Sequence, residues 1–387
     1  MSNVPAAVIG VGQTPYRAKR DDVSMPGLVR EAIDRALADA EITFDDIDAV
    51  VIGKEPDAFE GVTTPELFLA DAIGAAGKPM LRVHIAGSVG GSTAVVGTSL
   101  VQSGVHDRVL TVAFEKQSDE TWALSIPAPF TMPVHAGAGG YFAPHVRSYI
   151  RRAGAPLEIG AMVAAKDRQN ALLNPYAHVR EAGTTVESVL ASPILWDPVR
   201  YDETCPSSDG ACAMVIASES AVAVSGIPNP AWIHGTVMRS EPLAFAERDQ
   251  ANPLAGRAAA AYLWRTLGIT DPRAEIDCAE LYVPFSWFEP MWLENLGFAE
   301  EGEGWRLTEA GVTALDGDLP VDMSGGLLSA NPVGAGGMIR FAEAALQVMG
   351  EAGEHQIDGA RRALGHAYGG GSQYFSMWVV GSARPGN

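Results

Sequence analysis

Short runs dense in apolar residues alternate along this chain with longer stretches whose apolar positions recur every three or four residues. Ala6 to Gly12 reads as a buried strand. After it, Leu28, Val29, Ala32, Ile33, Ala36, Leu37 and Ala40 fall on one helical face, with a cap near Ser24 and Pro26 in the first turn. Ile42 to Gly53 is a polar turn that runs into a buried strand. A further apolar strand then meets a small-residue turn, a helix follows, and Arg108 to Glu115 closes the unit as a strand.

The same order returns later. Trp232 to Val237 reads as a strand, and a helix starts near Asn252-Pro253 and runs to Leu267. Ile269 to Leu281 echoes the Ile42 segment, with I-T at its start and I-D before the strand in both. Asn331 to Gly337 opens a helix whose inner face carries Met338, Phe341, Ala342, Ala345, Leu346 and Met349. Arg362 to Tyr368 leads through a glycine-rich turn into the strand Tyr374 to Val380. The alternation predicts an α/β protein made of two duplicated βαβ-rich halves. Residues 1–116 with 212–224 form the first half, 225–387 the second, and 117–211 an inserted loop domain. The insertion holds Pro127, Pro129, Pro133, the run Ala136 to Gly140, and a helix-like stretch from Ile159 to Leu172. Inserted loops in compact domains are usually functional.

Composition narrows the picture. The 387 residues are 47% hydrophobic, so a large core is expected. The formal charge of −20 argues against a nucleic-acid or anionic-membrane surface. An anionic ligand would then need local basic residues, for which Arg147, Arg151 and Arg152 are candidates. Cys205, Cys212 and Cys278 are odd in number and fit no metal spacing, so they are read as small core residues, with no metal site. No apolar stretch approaches the roughly 20 residues of a membrane span. The start, Met-Ser-Asn-Val-Pro, has no basic-then-apolar pattern, and a cytoplasmic protein is expected.

The most telling segment runs from Arg82 to Val95: a strand, a sharp small-residue turn, then a helix start. Such a turn points a side chain into a pocket and aims helix N–H groups at it. Its run S-V-G-G-S-T-A-V, from Ser88 to Val95, resembles the C-S-T-G-S-T-A-L of thiolases, with Ser88 in place of the attacking cysteine. Together with the duplication, the resemblance covers nearly the whole chain. It is nearest to the sterol-carrier-type and lipid-transfer thiolase-like proteins of bacterial steroid side-chain breakdown. Val23 to Met25, Phe285 to Trp292 and Gly365 to Tyr374 carry that part of the likeness.

The resemblance implies a thiolase-like fold in five layers and acyl-CoA substrates, with coenzyme A entering only as part of the substrate. It implies sheets paired edge to edge in a dimer or heteromer, with Arg108 to Glu115 at the seam. Members without the thiols are retro-aldolases that work with a small OB-fold/zinc-ribbon chain. At the second thiolase site position, an H-D-C-F run is here Tyr282-Val283-Pro284-Phe285. At the third, G-H-P-x-G is here Ala330-Asn331-Pro332-Val333-Gly334. At the fourth stands His366-Ala367-Tyr368-Gly369-Gly370. The steroid retro-aldolases carry a catalytic tyrosine in the segment that contains Tyr282, and a tyrosine where this chain has Asn331.

The chemistry of these residues points the same way. A serine hydroxyl attacks only with an adjacent base, and His84 points elsewhere if the strand alternates. Ser88 is therefore read as a spacer or hydrogen-bond donor, and no acyl-enzyme is expected. Asn331 and the N–H groups near Gly90 and Gly370 suit an enolate oxygen. Tyr282 and His366 are the available proton carriers. Gly90, Gly91, Tyr368, Gly370 and Arg147 are read as substrate or coenzyme A contacts. The expected activity is retro-aldol cleavage of a β-hydroxyacyl-CoA, with a steroid side-chain ester as substrate. A thiolase-like acyltransferase, a non-catalytic subunit supporting an active partner, and a serine hydrolase built on Ala86-Gly87-Ser88-Val89-Gly90 with His366 stay open.

Overall fold

The computed structural model describes residues 4–55, 62–118, 137–242 and 248–386; Pro127, Pro129, Pro133 and Ala136 lie outside them. The first half runs β1 (Ala6–Gln13), α1 (Met25–Asp39), β2 (Ala49–Gly53), α2 (Glu66–Ala72), β3 (Met80–Val83), α3 (Val89–Gln102) and β4 (Arg108–Glu115). The insertion contributes α4 (Gly137–Ala153), α5 (Glu158–Asn170), α6 (Val186–Ala191) and the small hairpin of β5 (Ile194–Trp196) and β6 (Val199–Arg200). β7 (Gly210–Ser218) and α7 (Glu219–Ser225) return to the first half. The second half follows with β8 (Ala231–Ser240), α8 (Leu254–Leu267), α9 (Pro272–Glu275), β9 (Cys278–Glu280) and α10 (Phe288–Asn295). It ends with α11 (Gly304–Glu309), α12 (Gly326–Ser329), α13 (Val333–Met349), β10 (Arg362–Gly369) and β11 (Tyr374–Gly381).

Nine strands form one mixed sheet in the order β3-β2-β4-β7-β1-β8-β11-β10-β9. Leaving out β3, the order is mirrored about the β1–β8 junction: β1 corresponds to β8, β7 to β11, β4 to β10 and β2 to β9. The junction itself is thin, since only Ala7–Trp232 and Val8–Ala231 pair across it. α1 packs on β1, β7 and β4 from outside, over a core that includes Ile9, Leu28, Ile33, Ile52 and Val112. α3 and α13 pack on each other and on strands of both halves. α8 covers β8 and β11 from the other side. This is the layered α/β duplication that the periodicity implied.

The Ile42 and Ile269 segments do the same work. Asp48 Oδ2 accepts the N–H groups of Asp107 and Arg108 at 2.8 Å, and Asp277 Oδ2 accepts those of Arg361 and Arg362 at 2.8 Å. Each aspartate ties the start of one strand to its parallel neighbour, β2 to β4 and β9 to β10. The α1 cap also forms as read, with Ser24 Oγ accepting from Gly27 N–H at 3.2 Å.

One expectation is corrected. β4 is not at a seam: β2 and β7 flank it on both sides, so its backbone groups are already paired. The strand with an unpaired edge in the first half is β3, where Leu81 is 46% exposed. Gly137 to Gly140 form the first turn of α4. Gly139 is needed there because a Cβ would stand 2.2 Å from the Trp196 ring. Among the described residues, no helix is long and apolar enough to cross a membrane.

α3 and α13 cross at near-backbone contact. A Cβ on Gly90 would lie 2.5 Å from Met338 N and 2.9 Å from Gly334 O, and one on Gly337 would lie 2.8 Å from Gly91 N. Backbone cannot yield as a flexible side chain would. Gly90→Ala should therefore destabilise by about 1–3 kcal/mol through overpacking, read as a lower urea midpoint at unchanged m-value.

Candidate functional site

A cavity of about 640 Å³ opens where the first turns of α3 and α13 approach the β10–β11 turn and the insertion. Its wall is mainly apolar and aromatic: Phe142, Leu195, Trp196, Pro284, Phe285 and Val333. Two phenols, Tyr282 and Tyr368, also line it, with Glu55, Gln117, Thr204, Cys205, Ser207 and Asn331 as the further polar side chains. Gly369 and Gly370 reach it from the β10–β11 turn, and Ala86 and Gly87 from the turn before α3.

That last turn is strained as the sequence suggested. Ala86 holds φ at +42°, a region that L-residues seldom occupy outside tight turns and functional sites. Yet Ser88 does not point into the cavity. Its side chain is fully buried, and its hydroxyl lies 2.9 Å from Ser376 Oγ and 3.4 Å from Ser92 Oγ. No histidine or carboxylate is bonded to it among the described residues, so the base that a serine nucleophile requires is lacking. Gly90 and Gly91, read as coenzyme A contacts, sit inside the α3–α13 crossing and do not line the cavity.

Tyr282 follows β9 and is held by its backbone. Its N–H donates to His366 Nδ1 at 3.3 Å, and its carbonyl accepts from Trp292 Nε1 at 2.8 Å. The phenol then lies over two glycines: a Cβ on Gly87 would be 3.5 Å, and one on Gly336 3.2 Å, from Tyr282 Oη. Its ring meets that of Tyr368 edge to face at 5.2 Å. Burial pushes both phenols well above their ordinary pKa, so both are protonated donors at neutral pH.

His366 is placed differently from its sequence reading. It is fully buried, outside the cavity lining, and serves to position Tyr282. Burial lowers its pKa to about 3, so the ring is neutral at physiological pH. Arg147 is ion-paired with Asp197 and also lies outside the lining, so nothing here joins it to a coenzyme A phosphate.

Asn331 faces the cavity, where its Nδ2 donates to Cys205 Sγ at 3.1 Å. Its backbone is fixed by Ser208 Oγ, at 3.1 Å from the N–H, and by Gln117 Nε2, at 2.8 Å from the carbonyl. The second amide hydrogen is left for a ligand. Cys205 is the residue that composition misjudged. Cys212 and Cys278 are core thiols, but Cys205 lines the cavity. Burial raises its thiol to about 11, so little thiolate forms at neutral pH. Glu55 was missed as well. It stands two residues past β2, and the spacing signal was available, because the I-D echo that leads to Tyr282 leads equally to this strand end.

Comparisons with known proteins agree with this architecture. Residues 238–382 match the family model described as thiolase C-terminal domain-like. The acetyl-CoA acetyltransferase of Methanothermobacter thermautotrophicus is 32% identical, over 94% of this chain and 96% of that one. Sterol carrier protein 2 of Homo sapiens is 28% identical, over 97% of this chain and 72% of that protein. Among solved structures, the Ltp2-ChsH2(DUF35) aldolase superposes with a TM-score of 0.84 at 25% identity, covering 98% of both chains.

Two expectations follow. Ser88→Ala should keep the fold and lower stability by about 0.5–1.5 kcal/mol, one hydrogen bond's net contribution. A fluorophosphonate probe should leave Ser88 of the parent unlabelled in peptide mass spectra. The second concerns acid. Unfolded histidine binds a proton below about pH 6.5, whereas folded His366 refuses it until about pH 3. The unfolded chain therefore gains protons first, and His366 makes stability fall as pH drops through that window. In thermal melts from pH 7 to 4, His366→Asn should lose stability less steeply than the parent.

Proposed function

The chain belongs to the thiolase family, and from that membership we propose that it cleaves a carbon–carbon bond in a β-hydroxyacyl-CoA by a retro-aldol reaction. The observation that carries this reading is what faces the cavity at the thiolase nucleophile turn. Ser88 is turned inward onto Ser376, and the phenol of Tyr282 lies over Gly87. The cavity thus offers proton donors at the turn where a thiolase would offer a nucleophile. The superposition with a solved aldolase supports the same choice.

Retro-aldol cleavage needs three things. The β-hydroxyl must lose its proton, the thioester oxygen must be held as charge builds on it, and Cα must regain a proton. Asn331 Nδ2 holds the thioester oxygen through its second hydrogen. Tyr282 is the proton carrier for the enolate, with Tyr368 packed against it to fix the ring. The aromatic and apolar wall suits a bulky hydrophobic acyl group, as in a steroid side-chain ester. Coenzyme A enters as part of this substrate. The unpaired edge of β3 is the place where a second thiolase-like chain would add. A small OB-fold/zinc-ribbon protein is the other partner proposed.

One observation favours acyl transfer instead: a thiol, Cys205, does line the cavity. Its raised pKa works against attack, because the thiolate is the nucleophile. Peptide mass spectrometry after acyl-CoA exposure separates the two readings. An acyl group on Cys205 supports transfer; its absence together with release of a ketone and a shortened acyl-CoA supports cleavage.

Tyr282→Phe removes only the hydroxyl and keeps the ring between Gly87, Gly336 and Tyr368. Stability should change little, while cleavage of a β-hydroxyacyl-CoA should fall by about 10²–10⁴-fold. Parent-rate cleavage by this variant, assayed with and without the co-purified partner chain, would overturn the assignment.

A further inference from the structure

Cleavage of a β-hydroxyacyl-CoA needs a base, and the groups assigned so far cannot act as one. The phenols of Tyr282 and Tyr368 are held protonated by burial, and a protonated phenol does not accept a proton from an alcohol. Cys205 is a thiol at neutral pH. His366 lies behind Tyr282 with Nδ1 occupied by that residue's N–H. We propose that the carboxylate of Glu55 is the base that takes the β-hydroxyl proton, a role that rests on the retro-aldol reading.

The geometry places Glu55 at the cavity. Glu55 lines it along with Tyr282, Asn331 and Tyr368. Its backbone is anchored, because Glu55 N–H donates to Glu115 Oε2 at 3.1 Å and Lys54 Nζ bridges Glu115 Oε1 at 2.7 Å and Glu55 O at 3.3 Å. The side chain is not tied in the same way: Oε2 is buried with no hydrogen-bond partner. A buried unpaired carboxylate oxygen is costly unless a ligand completes it. The duplication makes the position intelligible. Glu55 stands seven residues after Asp48, and Pro284 stands seven after Asp277. Both line the cavity, so equivalent strand ends reach it from the two halves. Pro284 can only form wall, whereas Glu55 can carry a proton.

The electrostatics suit the role. Burial raises the Glu55 carboxyl to about 8, while the cations Lys54 and Arg82 pull it partly back. The Glu55 charge also acts on the Tyr282 phenol and raises it, as do Cys205 and Glu115. Burial keeps Tyr282 protonated and an ionised Glu55 reinforces this, which sets a base and an acid in one cavity. The step balances. The β-hydroxyl proton passes to the Glu55 carboxylate as the Cα–Cβ bond breaks. The hydroxyl oxygen becomes the ketone oxygen, and the bond's electron pair passes into the thioester enolate held by Asn331. Tyr282 gives its proton to Cα, and the proton on Glu55 returns to the phenolate through solvent in the cavity.

The test is the pH profile of kcat/KM for β-hydroxyacyl-CoA cleavage by the parent, Glu55→Gln and Glu55→Asp, each assayed as the full chain with its co-purified partner. The parent should gain activity with rising pH up to about 8. Glu55→Gln should be folded by circular dichroism, slower by about 10²–10⁴-fold, and without that rise. Glu55→Asp should recover part of the rate and keep the rise. Infrared difference spectra of parent against Glu55→Gln should show one protonated-carboxyl band that disappears near the same pH. An active parent with unimpaired Glu55→Gln, or a Glu55 band that titrates near pH 4, overturns Glu55 alone. A parent inactive on every β-hydroxyacyl-CoA, with or without partner, overturns the reaction and this role with it.

Discussion

The arrangement depends on two helices that touch almost backbone to backbone. α3 and α13 come from opposite halves of the duplication, and Gly90 and Gly337 let them cross where a Cβ would collide with the main chain of the facing helix. Because the contact lies in the first turn of each helix, it sets the turns that precede them side by side. One is the Ala86-Gly87 turn and the other is the Asn331-Pro332 turn, and the cavity lies between these and the Gly369-Gly370 turn. Close crossing thus determines which residues can meet a common ligand. The glycines read as ligand contacts act one level lower, by making the site possible.

A second constraint holds the cavity's floor. Arg340 of α13 is buried and paired with Glu280 at the end of β9, and Glu280 also accepts the N–H and hydroxyl of Ser324 at 2.9 Å each. Asp322 Oδ1 takes the N–H of Leu281 at 2.7 Å. Tyr282 is the next residue, and His366 and Trp292 hold its backbone at both ends. Removing one member of such a buried network leaves an unpaired charge or donor in low dielectric, so the network specifies a single placement of the strand end. The phenol inherits its position from groups that never face the ligand. The histidine in the final glycine-rich run is one of these groups: it is buried behind Tyr282 and accepts that residue's N–H.

Much of the fold was legible because it rests on local periodicity and a repeat. The Ile42 and Ile269 segments share an order of apolar and polar positions, and their aspartates pin equivalent strands. The α1 face and its Ser24 cap, the inner face of α13 and the strand at Tyr374 follow from spacing alone. The site was legible only in part. Tyr282 and Asn331 were found because each follows a recognisable run. The inward turn of Ser88 was not, since it depends on Ser376, 288 positions away in sequence. Cys205 escaped because its partner Asn331 is 126 positions distant and belongs to the other half. β4 was placed at a seam from the family resemblance alone, and its second neighbour, β7, lies beyond the insertion in sequence.

On the retro-aldol reading proposed above, a serine at the thiol's position and a raised carboxyl in the cavity belong to one change in chemistry. A thiolate nucleophile needs a turn that aims N–H groups at a sulfur and a nearby base to draw its proton. Here that turn survives, with Ala86 still strained, but the side chain at its tip is folded back onto Ser376 and Ser92. The space it leaves is bordered by a phenol that stays protonated and by a carboxyl raised to about 8. A carboxyl and a phenol that stay well separated in acidity within one cavity suit divided acid and base duties. Burial alone would raise both. The carboxyl stays the more acidic group by nature, and charge reinforces the gap: Lys54 and Arg82 favour an ionised Glu55, while the ionised Glu55 disfavours an ionised Tyr282. The proposed division of labour would therefore be set at the end of β2, which reaches the same cavity as the equivalent strand end of the second half.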